Sequence, residues 1–272
     1  MRFLISLLLS LTLSVAAAAQ DAEETPLVTL KTGDALRGWE GVGRLDIRGK
    51  GFCTAALIRE SLILTAAHCV YGEDGKLLDV ERFQFSAGLR YGRAEATRSV
   101  RSLVAHPEYQ HEGDMARDEE VAVDIAVLQL DRPIRRNRVQ PFRIASRPAT
   151  GDQVGVVSYG RGRSETPSLQ EVCSVTGQNR GVVIMNCDVE FGSSGSPVFM
   201  VRDGQPMIVS VVSAMAETSG GRISLGTSLQ EPLQQLLAHY STIGPAQPGG
   251  TQRIITLGDR NDTGAKFTRP GG

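Results

Sequence analysis

The sequence predicts an all-β fold. Of the 272 residues 30 are glycine, and long helical patterns are scarce, which favours short strands joined by tight turns. Short apolar runs recur with glycine or charged residues between them, about six on each side of a linker at 131–152 that is rich in arginine and proline. This division predicts two similar β-units. Counting strands does not distinguish barrels from sandwiches.

The prediction of each unit rests on its own series of apolar runs, each bounded by turn residues. The candidate strands of the first unit are Val42–Ile47, Phe52–Ile58, Leu62–Leu64, Phe83–Ala87, Val100–Val104 and Ile125–Leu130. Those of the second unit are Val154–Tyr159, Glu171–Val175, Val182–Met185, Pro197–Val201, Met207–Val212 and Arg222–Leu225.

One segment after the last strand has a clear helical pattern. Ser228 can cap its start, and Pro232 is tolerated in its first turn. The apolar positions of one face are Leu229, Leu233, Leu236 and Leu237. We predict a helix at about 228–241, followed by a flexible tail at 242–272 that is rich in glycine, proline and threonine.

The amino terminus has the pattern of a secretory signal. Arg2 precedes the apolar run Phe3–Val15, and four alanines ending at Ala19 follow. The run is too short for a comfortable membrane span, so an uncleaved anchor is the less favoured alternative. We expect cleavage after Ala19, a propeptide or N-terminal arm at 20–37, and a secreted or periplasmic protein without stable membrane association.

The charge balance excludes broad classes of partner. The formal net charge is −1, so no global field attracts nucleic acid or an acidic membrane, and we predict no nucleic-acid partner. Arginines crowd the stretch 132–147, which we interpret as a solvated connection, with anion binding as the alternative. The sequence does not predict the oligomeric state.

Three separated motifs carry the chemistry. Thr65–Cys69 (Thr-Ala-Ala-His-Cys) presents an imidazole, and Gly192–Pro197 (Gly-Ser-Ser-Gly-Ser-Pro) presents a hydroxyl in a loop of small residues. Asp124 lies between them and leads into an apolar strand. A base, a nucleophile and a carboxylate that orients the base are the parts of nucleophilic acyl transfer.

With these motifs the chain resembles the trypsin-like serine proteases of the chymotrypsin fold, over about Trp39 to Leu237. The resemblance implies two six-stranded antiparallel β-barrels and a C-terminal helix that packs on the second barrel. It implies a peptidase domain at 38–241, with barrel one at about 38–131 and barrel two at about 148–227.

The order His68, Asp124, Ser194 is the chymotrypsin order. The resemblance implies that Ser194 is the nucleophile, that His68 is the general base and then the general acid, and that Asp124 orients the imidazole. The backbone N–H groups of Gly192 and Ser194 would form the oxyanion hole. We call His68, Asp124 and Ser194 the triad.

Other residues of the same types are less suited to these roles. The remaining histidines are interpreted as structural or surface residues: His106, His111 and His239. The acidic competitors of Asp124 fall in a predicted polar loop: Asp114, Asp118, Glu119 and Glu120. Ser193 and Ser196 flank the nucleophile, but the pattern Gly-x-Ser-Gly-x-Pro places it at Ser194.

The four cysteines fit an exported protein, because disulfides persist in oxidising compartments. Four cysteines allow three pairings. We predict Cys53–Cys69, which the resemblance implies, and Cys173–Cys187, which has no secure counterpart in trypsin. No C-x-x-C pair occurs, so we predict no metal site and no cofactor.

Four acidic residues follow the histidine motif, and their spacing is poor for binding calcium. We interpret them as a solvated loop: Glu73, Asp74, Asp79 and Glu81.

Three departures from trypsin resemble a bacterial branch that includes glutamyl endopeptidases. Ser193 replaces the aspartate that pairs with the freed N-terminus, Ser196 replaces a glycine, and no Ile-Val-Gly-Gly string follows the signal. We therefore do not expect activation through a buried terminal ammonium.

Substrate preference depends on Asp188, six residues before Ser194. A carboxylate at the base of the primary pocket would select Arg or Lys, with Ser213 and Met215 on one wall and Gly226 leaving the other open. The alternative is that Asp188 only caps the turn after Cys187. A glutamyl preference is less favoured, because 207–215 lacks a histidine.

The sequence thus predicts a serine endopeptidase acting on proteins or peptides. The alternatives are a catalytically silent binding protein on the same scaffold and a hydrolase of small esters.

Overall fold

The structure, a computed structural model, describes residues 23–111, 117–219 and 221–243. The predicted signal at 1–19 and the tail from 244 onward lie outside the described residues, so those expectations remain predictions. None of the helices in the described ranges has the length and apolar character needed to cross a membrane.

The described chain is mostly β-strand. The strands are β1 (Val28–Thr29), β2 (Val42–Ile47), β3 (Gly51–Arg59), β4 (Leu62–Thr65), β5 (Phe83–Ala87), β6 (Ala96–Ala105), β7 (Ala126–Leu130), β8 (Arg143–Ile144), β9 (Gln153–Gly160), β10 (Arg163–Asn179), β11 (Val182–Met185), β12 (Pro197–Arg202), β13 (Gln205–Thr218) and β14 (Gly221–Ser228). The α-helices are α1 (Asp118–Val121) and α2 (Gln230–Ile243), and 3₁₀ turns occupy Ala67–Val70 and Val80–Arg82.

Barrel one is a closed antiparallel barrel with the strand order β2-β3-β4-β7-β6-β5. All six strands lie at the predicted apolar runs. Alternate side chains point inward, so Leu45, Leu64 and Phe85 are fully buried in its core. Closure leaves no free edge in this barrel.

Barrel two forms a second ring. Strand β9 pairs with both β10 and β12, which closes the cycle β9-β10-β11-β14-β13-β12. Two short strands extend this sheet: β1 pairs with β10, and β8 pairs in parallel with β13. The predicted linker therefore contributes a strand, which the prediction did not include.

Strand β10 is much longer than the predicted run Glu171–Val175. Its first half is polar in sequence, yet Thr166, Ser168 and Gln170 are buried. Register shifts at 163–168 and 170–173 interrupt the alternation of inward and outward side chains. The apolar pattern was therefore too weak to predict the full strand.

Aromatic side chains fill the contact between the barrels. Phe199 of β12 lies 5.0 Å from Trp39 and 4.8 Å from Phe142, measured between ring centroids. Tyr159 at the end of β9 is fully buried in the core that includes barrel one. This packing holds the two barrels in one fixed arrangement.

Helix α2 follows the predicted pattern but not the predicted docking. Leu229, Leu233 and Leu236 are buried, as the heptad-like spacing indicates. The expectation that the helix packs on the second barrel is wrong. It packs on β6 and β7 of barrel one, where Gln235 Oε1 lies 3.0 Å from His106 Nε2.

The described part of the predicted N-terminal arm is built into the fold. Strand β1 extends barrel two, and Leu30 and Leu36 are buried in the main core. Thr25 is hydrogen-bonded through its backbone N–H to Val172 O at 3.0 Å. These contacts give residues 25–36 a structural role in the described chain.

Candidate active site

The turn that carries His68 is fixed by its neighbours. Strand β4 ends at Thr65, and Ala66 and Ala67 are fully buried, which lets the chain enter a 3₁₀ turn at Ala67–Val70. The disulfide Cys53–Cys69 ties this turn to β3, with the Cα atoms 6.4 Å apart. The imidazole is therefore presented from a rigid corner of barrel one, and its side chain is 26% exposed.

Strand pairing brings Asp124 to this corner. Thr65 of β4 lies opposite Ala126 of β7, so the residue two before β7 reaches the histidine turn. Asp124 Oδ2 lies 2.7 Å from His68 Nδ1, and Oδ1 accepts the His68 backbone N–H at 2.8 Å. The competitors Asp118, Glu119 and Glu120 lie in helix α1 instead of the expected loop, and Asp114 lies outside the described residues.

Asp124 is nearly inaccessible, with 2% of its surface exposed. Burial alone would raise its pKa, but the charge of His68 and hydrogen bonds from His68 and Ser213 together hold the pKa of Asp124 below its usual value. The Ser213 hydroxyl donates to Oδ2 at 2.5 Å. An ionised Asp124 favours the tautomer with a proton on His68 Nδ1, which leaves Nε2 free to accept a proton.

The loop at residues 190–195 carries the predicted nucleophile Ser194; we call it the nucleophile loop, and it is anchored on barrel one. Thr54 N donates to Ser194 O at 2.8 Å, and Thr54 Oγ1 donates to Gly192 O at 2.9 Å. Gly195 has φ +79°, and a Cβ there would lie 2.1 Å from Thr65 Oγ1 and 3.0 Å from Ala66 N. Only glycine allows this approach, so the loop packs directly on the chain that leads to His68.

The Ser194 hydroxyl has no hydrogen-bond partner among the described residues, and the residue is half-buried. The structure therefore joins His68 and Asp124 directly but does not join Ser194 to His68 by a hydrogen bond. In unliganded sites this contact is often long and tightens only around substrate.

Two backbone donors of the nucleophile loop are free for a ligand. Within the described chain, neither Gly192 N nor Ser194 N donates to an intramolecular acceptor, whereas the intervening Ser193 N donates to Glu190 O at 2.8 Å. Gly192 has φ +97°, and a Cβ there would lie 2.4 Å from the Phe52 ring. Glycine thus permits the backbone shape that leaves these two N–H groups unpaired.

The predicted specificity residues are spread over different environments. The Asp188 side chain is exposed, and its backbone N–H donates to Gln170 Oε1 at 2.7 Å. Met215 is half-buried against the second core. Gly226 is buried, and a Cβ there would lie 2.4 Å from Ser210 Oγ, so a side chain at this position would meet the neighbouring strand β13.

Sequence reasoning missed two residues that build the site. Ser213 was assigned to a pocket wall, yet its hydroxyl is committed to Asp124. Thr54 is fully buried and also accepts the backbone N–H of Tyr159 at 3.0 Å through its Oγ1. Nothing in the local sequence marks either residue, because their partners lie far away in the chain.

One cluster of side chains in the described ranges has the atoms of a candidate metal site. Among the described residues, the sole group of three candidate ligands is Cys53, His68 and Cys69. Both cysteines belong to the disulfide, so their sulfurs are not available as thiolate ligands. The second predicted disulfide, Cys173–Cys187, is also present and ties β10 to the segment that leads to Asp188.

The other histidines have structural environments. His106 is 1% exposed, and burial lowers its pKa. His111 stacks with Tyr71 and Tyr109 at centroid distances of 5.8 and 6.3 Å. His239 lies on helix α2.

Comparison with known proteins gives a concordant result. The protein-family model described as Trypsin matches residues 35–232. CLIP domain-containing serine protease B9 of Anopheles gambiae is 28% identical over 165 residues, which cover 54% of this chain and 39% of that protein. Cathepsin G of Homo sapiens is 32% identical over 133 residues, 46% of each chain. The matched region thus spans less than half the length of these curated relatives.

A solved structure of a Glu endopeptidase in complex with MPD resembles the fold. The TM-score is 0.63 at 20% sequence identity, and the match covers 80% of this chain and 97% of that one. At this identity the likeness describes the fold alone.

Proposed function

This chain belongs to the trypsin family, and we propose that it is a serine endopeptidase that hydrolyses peptide bonds through an acyl-enzyme. The observation that carries the proposal is the 2.7 Å contact between His68 Nδ1 and the buried carboxylate of Asp124. A buried, ionised carboxylate on one ring nitrogen prepares the other nitrogen to act as a base.

The proposed reaction begins at Ser194. His68 Nε2 removes the hydroxyl proton as Ser194 Oγ attacks the scissile carbonyl, and Asp124 stabilises the imidazolium that forms. His68 then gives the proton to the leaving amine. In the second half, water takes the place of the amine, and His68 again acts first as base and then as acid, so that Ser194 is regenerated.

The negative charge that develops on the carbonyl oxygen needs donors. Gly192 N and Ser194 N are the groups we assign to this role, because both are unpaired in the described chain while Ser193 N and Gly195 N are bonded. Loss of one such donor typically lowers the rate on the order of 100- to 1000-fold.

For the substrate we propose proteins or peptides, with a preference for Arg or Lys at the cleaved bond. The exposed carboxylate of Asp188 is the group that would pair with the basic side chain. The competing interpretation is that Asp188 only caps the turn after Cys187. The bond from its backbone N–H to Gln170 Oε1 does not involve the carboxylate and favours neither role.

We also propose that the protein is secreted or periplasmic, without stable membrane association. Two disulfides support an oxidising compartment, and the signal pattern at 1–19 supports export. The described residues carry the whole proposed site.

Labelling with a fluorophosphonate, followed by digestion of a peptide library, tests the function. We expect the probe to modify Ser194, as located by mass spectrometry, and Ser194→Ala to abolish both labelling and peptide cleavage. No labelling would favour a silent binding protein. Labelling with ester hydrolysis but no peptide cleavage would favour the small-ester hydrolase.

A further inference from the structure

Ser193 lies beside the nucleophile and is almost completely buried, with 1% of its surface exposed. Its hydroxyl accepts hydrogen bonds from Arg163 Nη2 and Glu190 N, both at 3.1 Å, and donates one to Tyr159 O at 3.2 Å. The side chain therefore joins the nucleophile loop to the end of β9 and to a cation at the start of β10.

Arg163 is held where it can reach this hydroxyl. Its Nη1 donates to Ser158 O at 2.5 Å and its Nη2 donates to Ser158 Oγ at 2.9 Å. The guanidinium occupies the position that a side chain on Gly160 would need, since a Cβ there would lie 2.8 Å from Nη2. Gly160 and Arg163 are cross-strand partners, so β9 and β10 together form the position that the guanidinium of Arg163 occupies.

The charges around the guanidinium favour its position. Burial lowers the pKa of Arg163, and the carboxylates of Asp188 and Glu190 act in the opposite direction. Both carboxylates belong to the segment that leads into the nucleophile. The Glu190 carboxylate is itself paired with Arg222 at 2.8 Å, so its attraction to the Arg163 guanidinium acts at longer range and adds to the direct contacts of Arg163 with Ser158 and Ser193.

We propose that Arg163 is a positioning residue that holds the nucleophile loop in its catalytic shape through the hydroxyl of Ser193. Within the described chain, residues 23–37 make no hydrogen bond to the nucleophile loop. The side chains that bond to it belong to Thr54, Arg163 and Arg222, and of these Arg163 is the one that reaches Ser193. A loop held in this way keeps Gly192 N and Ser194 N directed at the oxyanion without a new N-terminus. The inference rests on the proposed function and adds how the site is kept active.

Kinetics of Arg163→Ala test the proposal directly. We expect kcat to fall roughly 100-fold, the loss typical of a misplaced oxyanion donor, with KM little changed, because the interaction acts in the transition state. Arg147→Ala is the matched control. It also removes one arginine, from the segment between β8 and β9, but Arg147 is exposed and bonds only to Gln178 among the described residues. An unchanged kcat in Arg163→Ala would overturn the proposal.

Chemical rescue separates positioning from general stability. Arg163 lines a cavity of about 230 Å³ together with Thr29 and Tyr91, and removal of its side chain vacates the position beside Ser158 and Ser193 that a free guanidinium ion would fill. We expect millimolar guanidinium to restore a saturable part of kcat in Arg163→Ala, and sodium chloride or urea to restore none. Combined with Ser193→Ala, rescue should fail and the two losses should not add. Absent rescue together with additive losses would also reject the proposal.

Hydrogen exchange keeps this test independent of activity. We expect the Ser193 amide to exchange faster in Arg163→Ala than in the wild type or in Arg147→Ala. If the wild type cleaves nothing, the proposed function fails, and faster exchange still supports the positioning role. Equal exchange in all three proteins refutes that role. Should Arg163→Ala not fold, Arg163→Lys provides the comparison, because it keeps the charge and loses the paired donors.

Discussion

Replacement of Ser213 by alanine should destabilise the protein more than the loss of an ordinary buried hydroxyl. Ser213 Oγ donates at 2.5 Å to Asp124 Oδ2, an acceptor that is 2% exposed. A hydrogen bond to a charged group contributes about 1.5–3 kcal/mol, compared with about 0.5–1.5 kcal/mol for a neutral pair. The remaining donors to Asp124 come from His68, so the carboxylate cannot find a replacement without moving.

A serine on the same strand gives the matched control. Ser210 is fully buried, and its hydroxyl donates to the neutral Thr227 O at 2.8 Å. We expect Ser213→Ala to lower the free energy of unfolding by about 2 kcal/mol and Ser210→Ala by about 1 kcal/mol. Urea unfolding in a Ser194→Ala background, with the disulfides intact, measures both without self-digestion.

The pH dependence distinguishes the two variants further. The pKa of Asp124 is lowered in the folded protein, so its ionised form adds stability above the ordinary aspartate value of about 3.9, and this stability is lost as the pH falls through the folded pKa. The loss of unfolding free energy in Ser213→Ala should therefore be complete at neutral pH and become smaller below about pH 4. The loss in Ser210→Ala should stay constant. Equal losses of unfolding free energy in the two variants, or losses that do not change with pH in either variant, would refute the reasoning.

Three further predictions concern activity. Alanine at any one triad position should nearly abolish turnover without unfolding the protein, and double replacements should lose little more, because the groups act as one unit; substantial cleavage by the Ser194 variant would contradict the nucleophile assignment. A peptide library should lose its Arg and Lys products with Asp188→Ser, while identical profiles, or a wild type that ignores these residues, would remove Asp188 from specificity. Forms that begin at successive positions from Gln20 to Gly38 should lose activity only as they lose stability, measured by parallel rate and melting assays; a sharp gain confined to one new N-terminus would count against internal ordering of the loop.

Much of the fold was visible in local patterns. Every strand of barrel one overlaps a predicted apolar run, although β6 begins four residues before its run. Inward and outward positions alternate along β2, whereas the middle of β3 is buried throughout. Strand β10 was underestimated, since its first half buries polar side chains such as Thr166 and Ser168. Helix α2 was located by its leucines, but its docking on barrel one was not, because an apolar face does not state which surface covers it.

The sequence predicted the candidate catalytic residues and both disulfides through short motifs and the family that they resemble, and both disulfides are present in the structure. What surrounds these groups came only from tertiary structure. Ser213 and Asp124 are 89 residues apart, and Thr54 and Gly192 are 138 apart. Such pairs come into contact because the closure of the two barrels and the packing of one on the other bring their strands together. No local sequence pattern predicts these contacts. The sequence by itself determined which candidate groups are present and indicated the roles proposed for the residues of the triad. The tertiary structure decided which groups hold them in place, because hydrogen-bond geometry exists only after distant strands have been brought into contact.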